Sequence, residues 1–516
     1  MTVPSLQEST LSPNLILLNP IDSVAVVRSA MAKGEPVSDI VIATQDVPAG
    51  HKVALRDIAE GAEIRKYGQI IGFAAQPIRA GDHVHEHNLM VGDFAKDYAF
   101  CEERKITEQV SLPATFQGIV RDDGKVGTRN YIGILTTVNC SAHVANMVAR
   151  TFERNPLTGH DPLAEYPNVD GVVALVHKTG CGMSSGEPLT ILQRTLAGYA
   201  NHPNFAKVIV LGLGCEVNQV NRLIDKHDLS AKAVGLTIQS EGGSNKAAQA
   251  VIREVTAALA QANKVTRSTV PASELTIALI CGGSDGYSGI SANPALGAAS
   301  DLLVRHGGTV ILSETPETYG AEHLLTRRAE SRDVGEKLVQ RMKWWDAYAQ
   351  RENVSLNANP SPGNKAGGLT TILEKSLGAM TKAGTTNLRQ VVEYAEAATE
   401  KGFVFMDAPG YDPVQVTGQI AGGANLITFT TGRGSVFGAK PVPSIKLATN
   451  TPLYEHMPED MDINCGTIID GEETVEQCGQ RIFEMMLSVA SGDRTLSEKM
   501  DFGQSEFAPW ILGAVI

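Results

Sequence analysis

The feature that most constrains this chain is a set of short, unbroken apolar runs, each leading to a cysteine. Residues 131–138 lead to Cys140, 172–177 to Cys181, 208–212 to Cys215, and 275–280 run straight into Cys281. Runs of this length without polar alternation belong to strands covered on both faces, as in parallel sheets. Helical patterns follow at 141–152, 189–199 and 244–262. Strand and helix in alternation predict a parallel α/β architecture. Ligands of open parallel sheets bind beyond the carboxyl ends of the strands. Four thiols at such edges make a chemical site the leading expectation.

The 516 residues exceed one ordinary core; at roughly 150 residues per domain, about three domains are expected. Residues 14–90 read as a small, mainly β module: short alternating stretches at 40–43, 52–55 and 70–73 are separated by turns at Pro48-Ala49-Gly50 and Arg79-Ala80-Gly81-Asp82. Residues 91–116 are charged, without an apolar period, and read as a linker. The α/β pattern fills 117–270 and resumes over 271–516, with runs at 309–312, 403–406, 426–429 and 445–447; the polar stretch 266–273, carrying Pro271, divides the two. The net charge of −13 argues against nucleic-acid or membrane-surface partners, which need a basic footprint. No run resembles a membrane span. The polar start lacks the order of a signal peptide. A cytoplasmic location is therefore expected, with the seven cysteines reduced rather than paired.

Gly212-Leu213-Gly214 lacks the third glycine of a dinucleotide fingerprint, and no P-loop occurs. Gly282-Gly283-Ser284-Asp285-Gly286 matches a nucleophile elbow, with Asp407 and His456 following in hydrolase order. The same pattern recurs at 182–186, however, and Gly286, Gly289 and Pro294 oppose the immediate helix an elbow requires. A serine hydrolase using Ser284 is the distant alternative. Cys140, Cys181, Cys215 and Cys281 lack zinc-ribbon spacing. Thiolates gathered from separate strand ends can hold iron or an iron–sulfur cluster, although a single buried cysteine is as often a small hydrophobe. His83, His85 and His87 have the period of one strand face, suiting either a metal or acid–base cluster or a solvated edge. His177 stands at a strand end four residues before Cys181, a good place for a general base. Residues 359–368 are too rich in Gly and Pro for a regular element, and with Asn364 and Lys365 they suit a carboxylate-binding loop. Thr430-Thr431-Gly432-Arg433-Gly434 offers an arginine for the same purpose.

Seven ordered blocks carry a family resemblance: Gly50-His51-Lys52-Val53-Ala54-Leu55, Lys66-Tyr67-Gly68, His177-Lys178-Thr179-Gly180-Cys181, Gly212-Leu213-Gly214-Cys215-Glu216, Cys281-Gly282-Gly283-Ser284-Asp285, residues 359–368, and Thr431-Gly432-Arg433-Gly434. They resemble the altronate and galactarate dehydratases over nearly the whole chain. Within that family, Pro316-Glu317-Thr318-Tyr319-Gly320-Ala321-Glu322 and His83-Val84-His85 look like the altronate branch, and Met461-Asp462-Ile463-Asn464 with Gly471-Glu472-Glu473-Thr474 looks like the galactarate branch. Cys465 and Phe507-Ala508-Pro509-Trp510 depart from both.

The resemblance implies a β-clip (SAF-like) N-terminal module, a dimerising middle domain and a Rossmann-like C-terminal domain. A related sulfolactate sulfo-lyase carries the small module and the large part as separate chains. The implied activity is that of a hydro-lyase acting on a small anionic sugar acid, D-altronate to 2-keto-3-deoxy-D-gluconate first, galactarate or another aldonate or aldarate as alternatives. Ferrous iron is the implied cofactor, an iron–sulfur cluster or another divalent cation the alternatives, and the assembly a homodimer. On this basis His177 is the expected base and His51 the expected acid. Lys365, Asn364, Arg433 and Ser284 are expected to hold substrate, and Cys181, Cys215, Cys281, Asp285 and Glu314 the metal.

Overall fold

A computed structural model describes residues 10–92, 98–155 and 157–515. The N-terminal module is two small antiparallel sheets. Leu15–Ile16, Val24–Val27, Lys52–Ala54 and His83–Val84 form one; Glu63–Lys66, Gln69–Ala74 and Leu89–Met90 form the other. Val24, Val53, Ile64, Ile71 and Val84 are fully buried in it. Strand alternation sends Lys66 inward beside Ile64, and Lys52 is buried too. Two ammonium groups out of water require counter-charge from elsewhere. The expected strand at 40–43 is reduced to a single bridge, with Ile40 and Ile42 exposed.

Residues 98–114 contain no regular element and are strapped to the C-terminal domain by backbone hydrogen bonds, from Cys101 to Thr326, Glu103 to Arg327 and Val110 to Arg305. Thr115–Val120 then pairs with Val126–Gly127 and with Ser268–Pro271, so the polar stretch read as a boundary contains a strand.

The middle sheet is parallel, in the order Gly171–Leu175, Tyr131–Thr136, Phe205–Gly212, Ala233–Thr237. Ile132, Ile134, Ile209 and Leu211 face the helices Ala142–Arg150 and Ser244–Ala262. Leu135, Val173, Val208 and Val210 face Glu187–Ala200 and continue into the core of the C-terminal domain. There Glu187–Ala200 crosses Asp412–Ala421 so closely that a Cβ on Gly198 would lie 2.3 Å from the Ala421 carbonyl oxygen.

Seven parallel strands make the C-terminal sheet, in the order Leu388–Val392, Gly402–Met406, Thr309–Leu312, Thr276–Cys281, Leu426–Thr431, Ser444–Ala448, Ile463–Asn464. The chain builds outward on one side of Thr276–Cys281, then returns to its other side with Leu426–Thr431. This reversal is a topological switch point, where open α/β sheets bind ligands. One expected loop is partly regular: Pro362–Ala366 is a short helix, with Pro at its start and a capping box between Ser361 and Asn364. No helix of the described residues is long and apolar enough to cross a membrane.

Candidate active site

Cys281 ends its strand at the switch point, and the neighbouring strand ends one residue before Ser313-Glu314. Ligand atoms of Cys281, Glu314 and Glu317 all lie within 4.8 Å of one another, fully buried. The Cys281 Sγ is 3.5 Å from Glu314 Oε2 and 3.9 Å from Glu317 Oε2. Glu314 is held in left-handed backbone at φ +70°, an uncommon conformation for a residue with a Cβ. Two buried lysines face the carboxylates: Lys382 Nζ is 3.0 Å from Glu314 Oε2, and Lys375 Nζ is 2.9 Å from Glu317 Oε1. Asn359 donates to Glu317 and accepts from Lys375. Asp412 closes the site against Gly282, where a Cβ would lie 2.3 Å from its Oδ2.

The charges of this cluster do not balance. Three carboxylates, Glu314, Glu317 and Asp412, meet two ammonium groups. Burial raises Glu314 to about 7. Burial, followed by the Glu317 charge, raises Asp412 to about 7. Burial, with Glu314 beside it, pushes the Cys281 thiol up to about 12. A bound cation would favour the charged forms that burial disfavours here. Glu314 Oε1 is buried with no hydrogen-bond partner, as a ligand oxygen awaiting a cation would be. One sulfur with carboxylate oxygens is a mixed donor set that suits a borderline divalent ion better than Mg2+ or Ca2+.

The N-terminal module docks on the same edge. Glu374 supplies the missing counter-charge, 2.9 Å from both Lys52 Nζ and Lys66 Nζ. Burial alone would raise Glu374; the two lysines overcome it and hold the carboxyl well below its usual range. Burial lowers Lys52 to about 8 despite this partner. His51 lies 3.0 Å from His83 and 3.3 Å from the Ala366 carbonyl, and His85 lies 2.9 Å from that of Lys365. Burial lowers His51 to about 4, so its ring is neutral at pH 7, which does not favour the expected role of imidazolium acid. Lys365 Nζ pairs with Glu86 at 2.5 Å, whereas Arg433 is exposed.

Three family profiles match this chain in order: the altronate/galactarate dehydratase SAF domain over residues 13–92, the D-galactarate dehydratase/altronate hydrolase second domain over 118–263, and the D-galactarate/altronate dehydratase C-terminal domain over 272–515. The chain is 39% identical over 504 residues to a galactarate dehydratase (L-threo-forming) of Escherichia coli (strain K12), covering 95% of both chains. It belongs to the D-galactarate/altronate dehydratase family. An altronate dehydratase of Bacillus subtilis (strain 168) is 36% identical over 95% of this chain and 97% of its own. The (2R)-sulfolactate sulfo-lyase of Chromohalobacter salexigens matches as two subunits. Its beta subunit is 33% identical over 397 residues, 76% of this chain and 96% of its own; its alpha subunit is 51% identical over 43 residues, 8% of this chain and 46% of its own. The protein is thus an enzyme, a carbon–oxygen lyase of the dehydratase type.

Other expected residues of this dehydratase fall elsewhere. Both Asp285 oxygens are occupied within its loops: Oδ1 accepts from Tyr287 N and Ser288 Oγ, Oδ2 from Thr449 Oγ1 and Asn450 Nδ2. It clamps the loops that border the site and stands outside the Cys281 cluster. Asn364 likewise spends its amide on the Ser284 carbonyl, 2.8 Å away. Ser284 is no nucleophile elbow, because the next helix starts only at Ala292 and Asp407 accepts from Thr315 and Trp345 while His456 is exposed on another helix. His177 lies in the middle domain, lining a cleft of about 760 Å³ with Tyr411, Phe507 and Trp510. Its Nε2 donates to the Thr136 carbonyl at 2.9 Å and its Nδ1 accepts from Thr179 N at 3.3 Å. Both of its ring nitrogens are thus engaged. Cys181 and Cys215 are exposed on the middle sheet's edge, a different sheet from Cys281. Glu317, Lys375, Lys382 and Asp412 were missing from the sequence expectation. The available signal was Glu317 three residues after Glu314, and Asp412 opening the helix after the 403–406 run.

Proposed function

We propose that the enzyme removes water from a hydroxylated sugar acid at the switch point of the C-terminal sheet, with Cys281, Glu314 and Glu317 holding a divalent cation, ferrous iron first. The convergence of those three ligand atoms within 4.8 Å, one carboxylate oxygen buried without a partner, carries this reading. A proton α to a carboxylate is weakly acidic, and the cation supplies Lewis-acid stabilisation of the enediolate that its loss creates. The chain's own groups do the rest. Neutral His51, held by the docked module, is a candidate to take the C2 proton, and Asp412, raised to about 7, to protonate the leaving C3 hydroxyl. Water leaves, and the C2–C3 enol tautomerises to a 2-keto-3-deoxy acid. Arg433 and Lys365 border the same edge and are candidates to hold carboxylate. The docked module excludes water from the reactive enediolate.

Altronate is the first substrate to test and galactarate the second. The altronate-like block 316–322 contributes Glu317 to the cluster, whereas the galactarate-like block 461–464 ends on the outermost strand of the sheet. The experiment is anaerobic turnover of both sugar acids with ferrous iron and reductant, scored by 2-keto-3-deoxy product. Cys281→Ser and Glu317→Gln are expected to lose roughly 100-fold or more in kcat. Full turnover after chelation, or turnover of neither acid, overturns the proposal.

A further inference from the structure

The middle sheet carries three thiols that the Cys281 site does not use. Cys140, Cys181 and Cys215 follow three adjacent strands, and all three are exposed, whereas Cys281, Cys465 and Cys478 are buried. Unpaired cysteine is usually buried, so three exposed thiols at one sheet edge call for a reason. Adjacent strands lie about 4.8 Å apart, and Cys140 leaves the strand between the other two.

The loops that carry them are tied together by buried groups. Asn139 N donates to the Thr179 carbonyl at 3.1 Å, joining the Cys140 loop to the Cys181 loop. Asn218 N donates to the Gly180 carbonyl at 3.1 Å and its side chain to the Thr137 carbonyl at 3.2 Å. Glu216 accepts from Thr137 Oγ1 at 2.7 Å and from the amides of Leu213 and Gly214. Glu216 and Asn218 are both buried. The approach also demands glycine: a Cβ on Gly180 would lie 2.1 Å from the Thr137 carbonyl oxygen, and one on Gly212 2.2 Å from Glu216 Oε1. Each cysteine is therefore next in sequence to a residue that locks one of these loops to another. A buried carboxylate without a cationic partner is costly, and what it secures here is the mutual placement of three thiol-bearing turns.

We infer that Cys140, Cys181 and Cys215 together ligate an iron–sulfur cluster, one thiolate from each loop, at a site separate from Cys281. Soft thiolates select such clusters, copper(I) or zinc. A single zinc ion draws its sulfurs to about 3.8 Å from one another, from a Zn–S distance of about 2.3 Å. These three sulfurs do not all lie within 4.8 Å of one another, so as they stand they do not converge on one ion. Ligation displaces the three thiol protons; the ferric iron of the cluster comes from ferric iron supplied in excess of the reducing thiol needed to bring part of it to ferrous.

The test uses the full chain, reconstituted anaerobically with ferric iron, sulfide and a thiol reductant. Iron and acid-labile sulfide are counted, and the visible and electron paramagnetic resonance spectra recorded. Wild type is expected to hold sulfide in stoichiometric amount. Cys140→Ala, Cys181→Ala and Cys215→Ala are each expected to lose it to background while keeping the wild-type circular dichroism. Cys281→Ala is expected to keep it. In wild type, alkylation of these three cysteines should be fast before reconstitution and blocked after it. No sulfide in wild type, full sulfide in the three variants, loss in Cys281→Ala, or binding of zinc alone overturns the inference. The readouts do not depend on turnover, so they are independent of the proposed function.

Discussion

Glu314 bears more of the site than any other residue. It reaches Cys281 and Lys382 from a backbone conformation that costs on the order of 1–3 kcal/mol for a non-glycine residue. Glu314→Ala would leave Lys382 as an unpaired buried cation, an expected loss of about 3–5 kcal/mol. Glu314→Gln keeps an acceptor for Lys382 and should lose less stability while abolishing turnover. Urea unfolding midpoints check both, and an alanine variant as stable as wild type would contradict the buried pair. Histidine sets the acid limit. Burial lowers His177 and His202 to about 4 from 6.5. Above pH 6.5 neither state takes the proton, whereas between 6.5 and 4 the unfolded chain takes it and the folded one does not. Stability is therefore expected to fall as pH drops through that window, seen as a falling melting temperature between pH 7 and 5, and His202→Gln should flatten the slope. At this scale the sequence was partly legible. Cys281 and Glu314 stand out because each follows an apolar strand run. Lys375, Lys382 and Asp412 do not, because only the fold brings their two separate segments onto one strand end. Asp285 was misread because a carboxylate that caps loops and one that binds metal look alike in sequence.

The element that joins the two charge networks is the helix Ile372–Met380. Its consecutive residues point to different partners: Glu374 to Lys52 and Lys66 of the N-terminal module, Lys375 to Glu317 of the site. The turn after it supplies Lys382 to Glu314. Docking of the module and the shape of the site are thus set by one rigid piece. Glu374→Ala would strand two buried lysines, and the module is expected to loosen. Hydrogen exchange should rise in Lys52–Ala54 and Glu63–Lys66 while Thr276–Cys281 stays protected, and turnover should fall without change in the metal held at Cys281. Unchanged exchange in the module would show that apolar contacts hold it. The helix was not singled out in the sequence, because it has no long amphipathic period; nearly all its residues are buried. Most of the parallel strands were legible within about three residues, since continuous β-branched runs have no other stable home, but Ala233–Thr237, Leu388–Val392 and Ile463–Asn464 were not. Strand order was not, because parallel neighbours share no local signal.

At the scale of the molecule, the N-terminal module is tethered loosely in sequence and held firmly in space. Residues 98–114 lack regular elements, yet the module's contacts with the C-terminal domain include a buried ion triad, the Tyr287 hydroxyl donating to the Arg28 carbonyl at 2.8 Å, and the His85–Lys365 contact. A covalent link contributes mainly effective concentration, whereas the specific geometry comes from these contacts. The sulfo-lyase matches this chain as two subunits, a beta subunit over 397 residues and an alpha subunit over 43. Residues 1–92 and 98–516 made as separate chains are therefore expected to associate and restore turnover, saturably, as the small chain is added. The large chain alone should retain its sheet and its metal but lose activity, because it lacks His51 and opens the site to water. A small chain carrying His51→Ala should still bind, since its lysines and the Glu374 pairing are intact, but should not restore turnover. Full activity of the large chain alone would remove His51 from the mechanism. Binding of the variant with restored turnover would reduce the module to a lid.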